Sequence, residues 1–272
     1  MTIIAKPVRF SNQGGFSLIE LSIVLVIIGL IVSGVSFGMN MQRSSEHQRI
    51  KQKFVDQWVR TYNEYYQRTG MVPGDSFSTP TFIVNANADA AVLVAILAAA
   101  NAGNYSVLDG DPFDPSDDLY PARLCEGSAN DSYPGARESD NTSMHDFFDS
   151  IGAKMPPGRA EGQEDRYIYL DSNGNPQELQ VCFQWNPPGT YSGVGNVMIL
   201  RGLTPDLARL LDSMVDGQVD AISGLFREQG RTVGDALGRD WTKVNTDSVS
   251  VDGINEDESL VKSITAHYRM NQ

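Results

Sequence analysis

Gly14-Gly15-Phe16-Ser17-Leu18-Ile19-Glu20-Leu21-Ser22-Ile23-Val24-Leu25-Val26-Ile27-Ile28-Gly29-Leu30-Ile31-Val32 decides how this chain is read. A polar leader carrying Lys6 and Arg9 ends at Gly15, and an apolar run opens abruptly at Phe16. Glu20 interrupts that run once, and no further charge follows until Arg43. At 1.5 Å per helical residue, positions 21–42 span roughly 33 Å, close to a hydrocarbon core of roughly 30 Å. The pattern predicts one membrane-spanning helix, and the basic residues before it place the N-terminus in the cytoplasm with the remainder outside. Gly29, Ser33, Gly34 and Gly38 supply small residues within the span. They read either as a surface for close helix packing or as the glycine common in membrane helices. The literal Gly34-Val35-Ser36-Phe37-Gly38 string lacks the strand–turn–helix context of a hydrolase elbow.

A carboxylate in the first turns of a spanning helix costs roughly 2.5–3.5 kcal/mol and is usually retained for a partner. Taken alone, Glu20 reads equally as an acid reaching back to the headgroups. Its surroundings bear on that choice. Gly15-Phe16-Ser17-Leu18-Ile19-Glu20-Leu21 closely resembles the class III signal of type IV pilins and pseudopilins. In that family a prepilin peptidase cuts after the glycine on the cytoplasmic side and methylates the new N-terminus. A glutamate at the fifth mature position then faces the N-terminal amine of a neighbouring subunit. The resemblance implies cleavage between Gly15 and Phe16, N-methylation of Phe16, and Glu20 as the assembly carboxylate. It further implies a structural subunit rather than an enzyme: a pilin, minor pilin or pseudopilin. Its partners would be other pilin subunits, the prepilin peptidase and an inner-membrane assembly platform. Such a chain resides in the inner membrane and then in an extracellular or periplasmic filament, a fimbrium or a secretion pseudopilus. The competing reading is a secretory peptide cut near Gly34-Val35-Ser36. It fails because the apolar run is too long and Glu20 would lie inside it.

The 272 residues are 41% hydrophobic and 20% charged, which suits one globular domain beyond the helix. Loss of Lys6 and Arg9 with the leader takes the formal charge from −13 to −15. That balance argues against general phosphate-backbone binding and gives no nucleic-acid signal. The two cysteines, Cys125 and Cys182, fall in a region placed outside the cytoplasmic membrane, where a structural disulfide is expected.

The fold class expected is α+β, and the resemblance implies a pilin-like ladle. Its long N-terminal helix would pack on an antiparallel β-sheet head with a long αβ-loop insertion. Five segments follow: leader 1–15, a transmembrane and assembly half-helix 16–43, an amphipathic half-helix 44–70, a variable region 71–165, and a sheet head 166–272 with an inserted helix 204–216. Ile50, Phe54, Trp58, Tyr62 and Tyr65 recur at steps of three and four, an apolar stripe that reads as core, and Gly70 and Pro73 stop the helix. The variable region holds an alanine-rich helix at 89–102, too short to span a membrane, and a second near 143–151. Positions 166–170 and 177–185 flank an Asn173-Gly174 turn and read as a hairpin. A third strand is expected over 196–203 and a last one over 260–270. Thr204 is placed to cap the inserted helix, Pro205 to open it and Gly217 to end it. Met71-Val72-Pro73-Gly74-Asp75 and Leu211-Asp212-Ser213-Met214-Val215-Asp216-Gly217 also resemble stretches of one group of proteobacterial pilin-like proteins.

Acidic clusters are the remaining candidate sites: Asp109, Asp111, Asp114, Asp117 and Asp118, then Asp252, Glu256, Asp257 and Glu258. Calcium takes six to eight oxygens, and related pseudopilins use loop carboxylates for it, but neither cluster has the spacing of a defined calcium loop. No cofactor is therefore expected, with calcium at these loops left open as the one possible metal. His47, His145 and His267 show no metal-ligand spacing and no nucleophile partner. Asn104-Tyr105-Ser106 and Asn141-Thr142-Ser143 match a glycosylation sequon of a length that arises by chance. The alternatives are a single-pass, membrane-anchored extracytoplasmic binding protein or enzyme, and a minor pilin whose head binds DNA or a surface.

Overall fold

The computed structural model describes residues 17–86, 94, 98, 101–102, 123–126, 143–231, 234, 238–242, 261 and 263–271, with backbone alone at 36–40 and 42. Two compact units divide the chain, Met1–Glu46 and His47–Gln272. Helix α1, Leu18–Ile50, supplies the first unit and ends four residues into the second.

In the first unit, the side chains from Leu18 to Val35 are exposed without exception. Among the described residues this is the single helix long and apolar enough to cross a membrane.

The second unit continues from α1 through a π-turn, Lys51–Val55, into α2, Asp56–Thr69. The stripe Ile50, Phe54, Trp58, Tyr62 advances by fours, and in a regular α-helix of 3.6 residues per turn such a row drifts around the axis. One wider turn, closed by Asp56 N–H on Lys51 C=O, offsets the drift and buries Phe54 and Val55 together. Gly70, in the left-handed region at φ 75°, ends α2 by donating to Tyr66 C=O.

Among the described residues, six antiparallel strands form one sheet: β1, Arg123–Leu124; β2, Arg166–Leu170; β3, Pro176–Asn186; β4, Gly195–Leu203; β5, Phe226–Glu228; and β6, Ile264–Arg269. The order is β1-β3-β4-β6-β5, with β2 also paired to β3. Asp171 builds the β2–β3 turn, its Oδ1 accepting from Asn173 N–H and Asn175 N–H. The aromatic stripe of α2 packs on this sheet. Tyr62 stacks on Phe183 at 5.1 Å, while Trp58 meets Phe148 edge-on at 5.6 Å. Phe148 comes from α3, Met144–Ser150, whose Ser143–Asp146 capping box starts it where a helix is expected.

Helix α4, Pro205–Asp216, begins at Pro205 and ends at a left-handed Gly217, as its punctuation predicts. Thr204 departs from expectation, because its hydroxyl makes no capping bond. Instead its N–H donates to the Tyr169 hydroxyl, which itself donates to Gly202 C=O. Tyr169 thus clasps the irregularity between Arg201 and Leu203. Gly202 is required there: its φ is 82°, and a Cβ would lie 2.0 Å from Glu178 C=O. Of the expected 89–102 helix, only Val94, Ala98 and Asn101 are described as helical. The last strand is shorter than expected, and the short strands β1 and β5 were not foreseen.

Candidate assembly site at the helix N-terminus

The first turn of an α-helix leaves backbone N–H groups without intrahelical partners, and an apolar environment makes those orphans costly. Ser17 and Glu20 meet that need reciprocally. Ser17 N–H donates to Glu20 Oε2 at 2.9 Å, and Glu20 N–H donates to Ser17 Oγ at 3.2 Å. This is a capping box three residues wide. Its carboxylate also lies at the positive end of the helix dipole. Glu20 is therefore already engaged within its own chain, and Ser17, to which the sequence reading assigned no role, is its partner. The signal that could have revealed Ser17 is the Ser-x-x-Glu spacing before an apolar run. Ser22 Oγ donates to Ile19 C=O at 2.8 Å, so a second polar group in this turn is satisfied without leaving the helix.

Around this box the surface is apolar, with Leu18 91% exposed among the described residues. One carboxylate is held at the tip of an apolar helix that is exposed among the described residues. Such an arrangement can accept a cation with N–H donors. Gly15 and Phe16 lie outside the described residues.

Cys125 and Cys182 are joined by a disulfide, with Cα atoms 4.6 Å apart. The register explains the meeting: Leu124 pairs with Phe183, which brings Cys125, the residue after β1, opposite Cys182. Both acidic clusters and the Asn104-Tyr105-Ser106 sequon lie outside the described residues, as do Asn141 and Thr142 of the second, whose Ser143 caps α3. Among the described residues, no three His, Cys, Asp or Glu side chains are placed to hold a metal ion.

The fold gathers two buried polar groups that the sequence did not announce. His145 is stacked on Trp58 and lies 3.4 Å from Glu126, 3.5 Å from Glu164 and 4.0 Å from Asp165. Burial raises the Asp165 carboxyl above the ordinary carboxylate range, although Gln180 Nε2 donates to it at 2.9 Å. On α4, Asp212 Oδ2 accepts from Asp220 N–H at 2.6 Å and Trp241 Nε1 at 2.7 Å. Burial pushes its pKa up to about 6. These groups tie loops to the core.

Residues 10–36 match the prokaryotic N-terminal methylation motif, so the chain carries a type IV prepilin-like signal. That match contains the whole capping box and most of the exposed apolar helix. No curated protein and no solved structure matches the chain.

Proposed function

We propose that this chain is a filament subunit of the type IV pilus or secretion pseudopilus kind. The leader is cut between Gly15 and Phe16, the Phe16 amine is methylated, and residues 16–43 anchor the subunit before assembly. The segments 44–70, 71–165 and 166–272 then form the extracytoplasmic part, first at the inner membrane and later in the filament. One coincidence supports this most: the methylation motif matched at 10–36 contains a Glu20 held at the tip of an exposed apolar helix.

The chemistry follows from desolvation. In a filament the Phe16 amine of an incoming subunit leaves water for an apolar core. A buried amine alone is costly and so is a buried carboxylate, whereas together they offset much of each other's penalty. Glu20 Oε2 stays with Ser17 N–H while the other oxygen receives the amine. No cofactor enters this role, and calcium chelation is expected to leave filaments intact.

Glu20→Ala tests the reading. Removing one member of such a pair costs about 3–5 kcal/mol at each junction. Membrane insertion is unharmed, since alanine inserts more easily than glutamate. The variant should be exported and cleaved after Gly15, yet fail to enter sheared filaments in cells lacking the wild-type copy, with Glu20→Asp intermediate. Normal filament yield from Glu20→Ala would make this carboxylate an incidental interfacial acid.

A further inference from the structure

The charge of the chain is unevenly placed. Between positions 43 and 68 there are six lysines and arginines against three carboxylates, whereas residues 71–272 carry 30 carboxylates against 13 lysines and arginines. The long helix is thus a basic element in an otherwise acidic protein. Two of the three carboxylates between 43 and 68 are already committed: Asp56 pairs with Lys51 at 2.8 Å, and Glu64 pairs with Arg68. Arg49, Lys53 and Arg60 are left without an ion pair among the described residues. Their spacings of four and seven residues put them on one side of the helix. All three are exposed, while Ile50, Phe54, Trp58 and Tyr62 of the same segment are buried.

We infer that Arg49, Lys53 and Arg60 form a docking stripe for the acidic head of a second copy of this chain. The inference rests on the assembly reading above and adds a second contact to it. The apolar helix and the Glu20–amine pair hold the subunit axes together. The basic stripe then sets which part of the neighbour's head lies against the helix. Charge complementarity selects this occupant: within one mature copy, a net charge of −17 over residues 71–272 faces a helix segment of +3. Three cations without an ion pair among the described residues find many anions in the next copy. A heterologous arrangement of this kind also repeats without limit along a filament, because each copy supplies both the stripe and the head.

The full chain is tested in cells and in sheared filaments. Arg49→Glu, Lys53→Glu and Arg60→Glu are combined in one variant, and the same three positions are changed to Gln in another. Both should be cleaved after Gly15 at the wild-type level, since no changed residue is buried. Filament yield should fall at least ten-fold for the Glu variant and a few-fold for the Gln variant. Carbodiimide treatment of wild-type filaments should give a dimer-sized species in which Lys53 is linked to an Asp or Glu of another copy. That species should disappear in Lys53→Gln and weaken as salt is raised. Filament yield within two-fold of wild type for the Glu variant would overturn the inference, as would a Lys53 link only to a different protein. Loss of the Glu variant from membranes, with normal filament yield per membrane-bound copy, would assign the stripe to lipid headgroups and also overturn it. A wild-type chain that is cleaved but forms no filament would refute the assembly reading beneath it.

Discussion

Replacing Asp212 with Asn should stabilise the head above neutral pH and leave it unchanged in acid. Asp212 is fully buried on α4, and its Oδ2 takes two strong donors, Asp220 N–H and Trp241 Nε1. Its Oδ1 has no partner, and the nearby Asp216 opposes ionisation further. Burial is the largest cause of a pKa raised from 3.8 to about 6. The folded state therefore holds this proton more tightly than the unfolded chain does. For an acid shifted in that direction, stability is highest below the unfolded pKa and declines as pH rises through the folded one. Two pH units at ~1.4 kcal/mol each set a ceiling of roughly 3 kcal/mol, and solvent screening brings the expected penalty to about 1–2 kcal/mol above pH 7. An Asn oxygen keeps both donors and its NH₂ can turn to Asp216, so the variant loses the charge and little else. Urea unfolding of the detergent-solubilised full chain, followed by tryptophan fluorescence, measures the difference, because Trp58 and Trp241 are both buried. The curves of wild type and Asp212→Asn should converge near pH 4 and separate by about 1–2 kcal/mol at pH 8 in favour of the variant. A variant that is less stable than wild type at pH 8 would refute the reasoning, showing that the carboxylate is compensated where it sits.

Two further changes test the clasps of the fold. Tyr169→Phe removes the hydroxyl that joins Thr204 N–H to Gly202 C=O, and leaving those buried groups unpaired should cost about 1–3 kcal/mol in the same unfolding assay. An unchanged midpoint would mean that water replaces the hydroxyl. Breaking the Cys125–Cys182 link, whose cysteines are 57 residues apart, should cost up to roughly 4 kcal/mol on the chain-entropy account. Thiol titration of the exported, unreduced protein should find no free thiol, and two titratable thiols would contradict the bridge.

What the sequence made legible follows local rules. The apolar run and its single acid are written in consecutive residues. So are the Asn173-Gly174 turn and the Pro205 to Gly217 punctuation of α4, and each of these elements appears close to its expected bounds. What escaped depends on partners distant in the chain. Strands β1 and β5 are two and three residues long, and their assignment comes from pairing with β3 and β6 rather than from any pattern of their own. Thr204 looks like a helix cap in sequence, but Tyr169, 35 residues away, takes its N–H. The π-turn was hidden because steps of three and four suit a continuous helix until the drift of a row of fours is counted. The His145 group draws on positions 126, 145 and 164–165, and no spacing rule connects them. The candidate site is the reverse case. Its residues lie within seven positions, so its motif was readable at once, whereas the engagement of Glu20 by Ser17 needed coordinates.

The N-terminus of the protein recovered from its native membrane or filament tests the central claim most directly. Intact-mass and N-terminal peptide mass spectrometry should find a chain beginning at Phe16 with its amine methylated, and no copy retaining residues 1–15. An intact Met1, or a start at or beyond Ser36, would contradict the prepilin account.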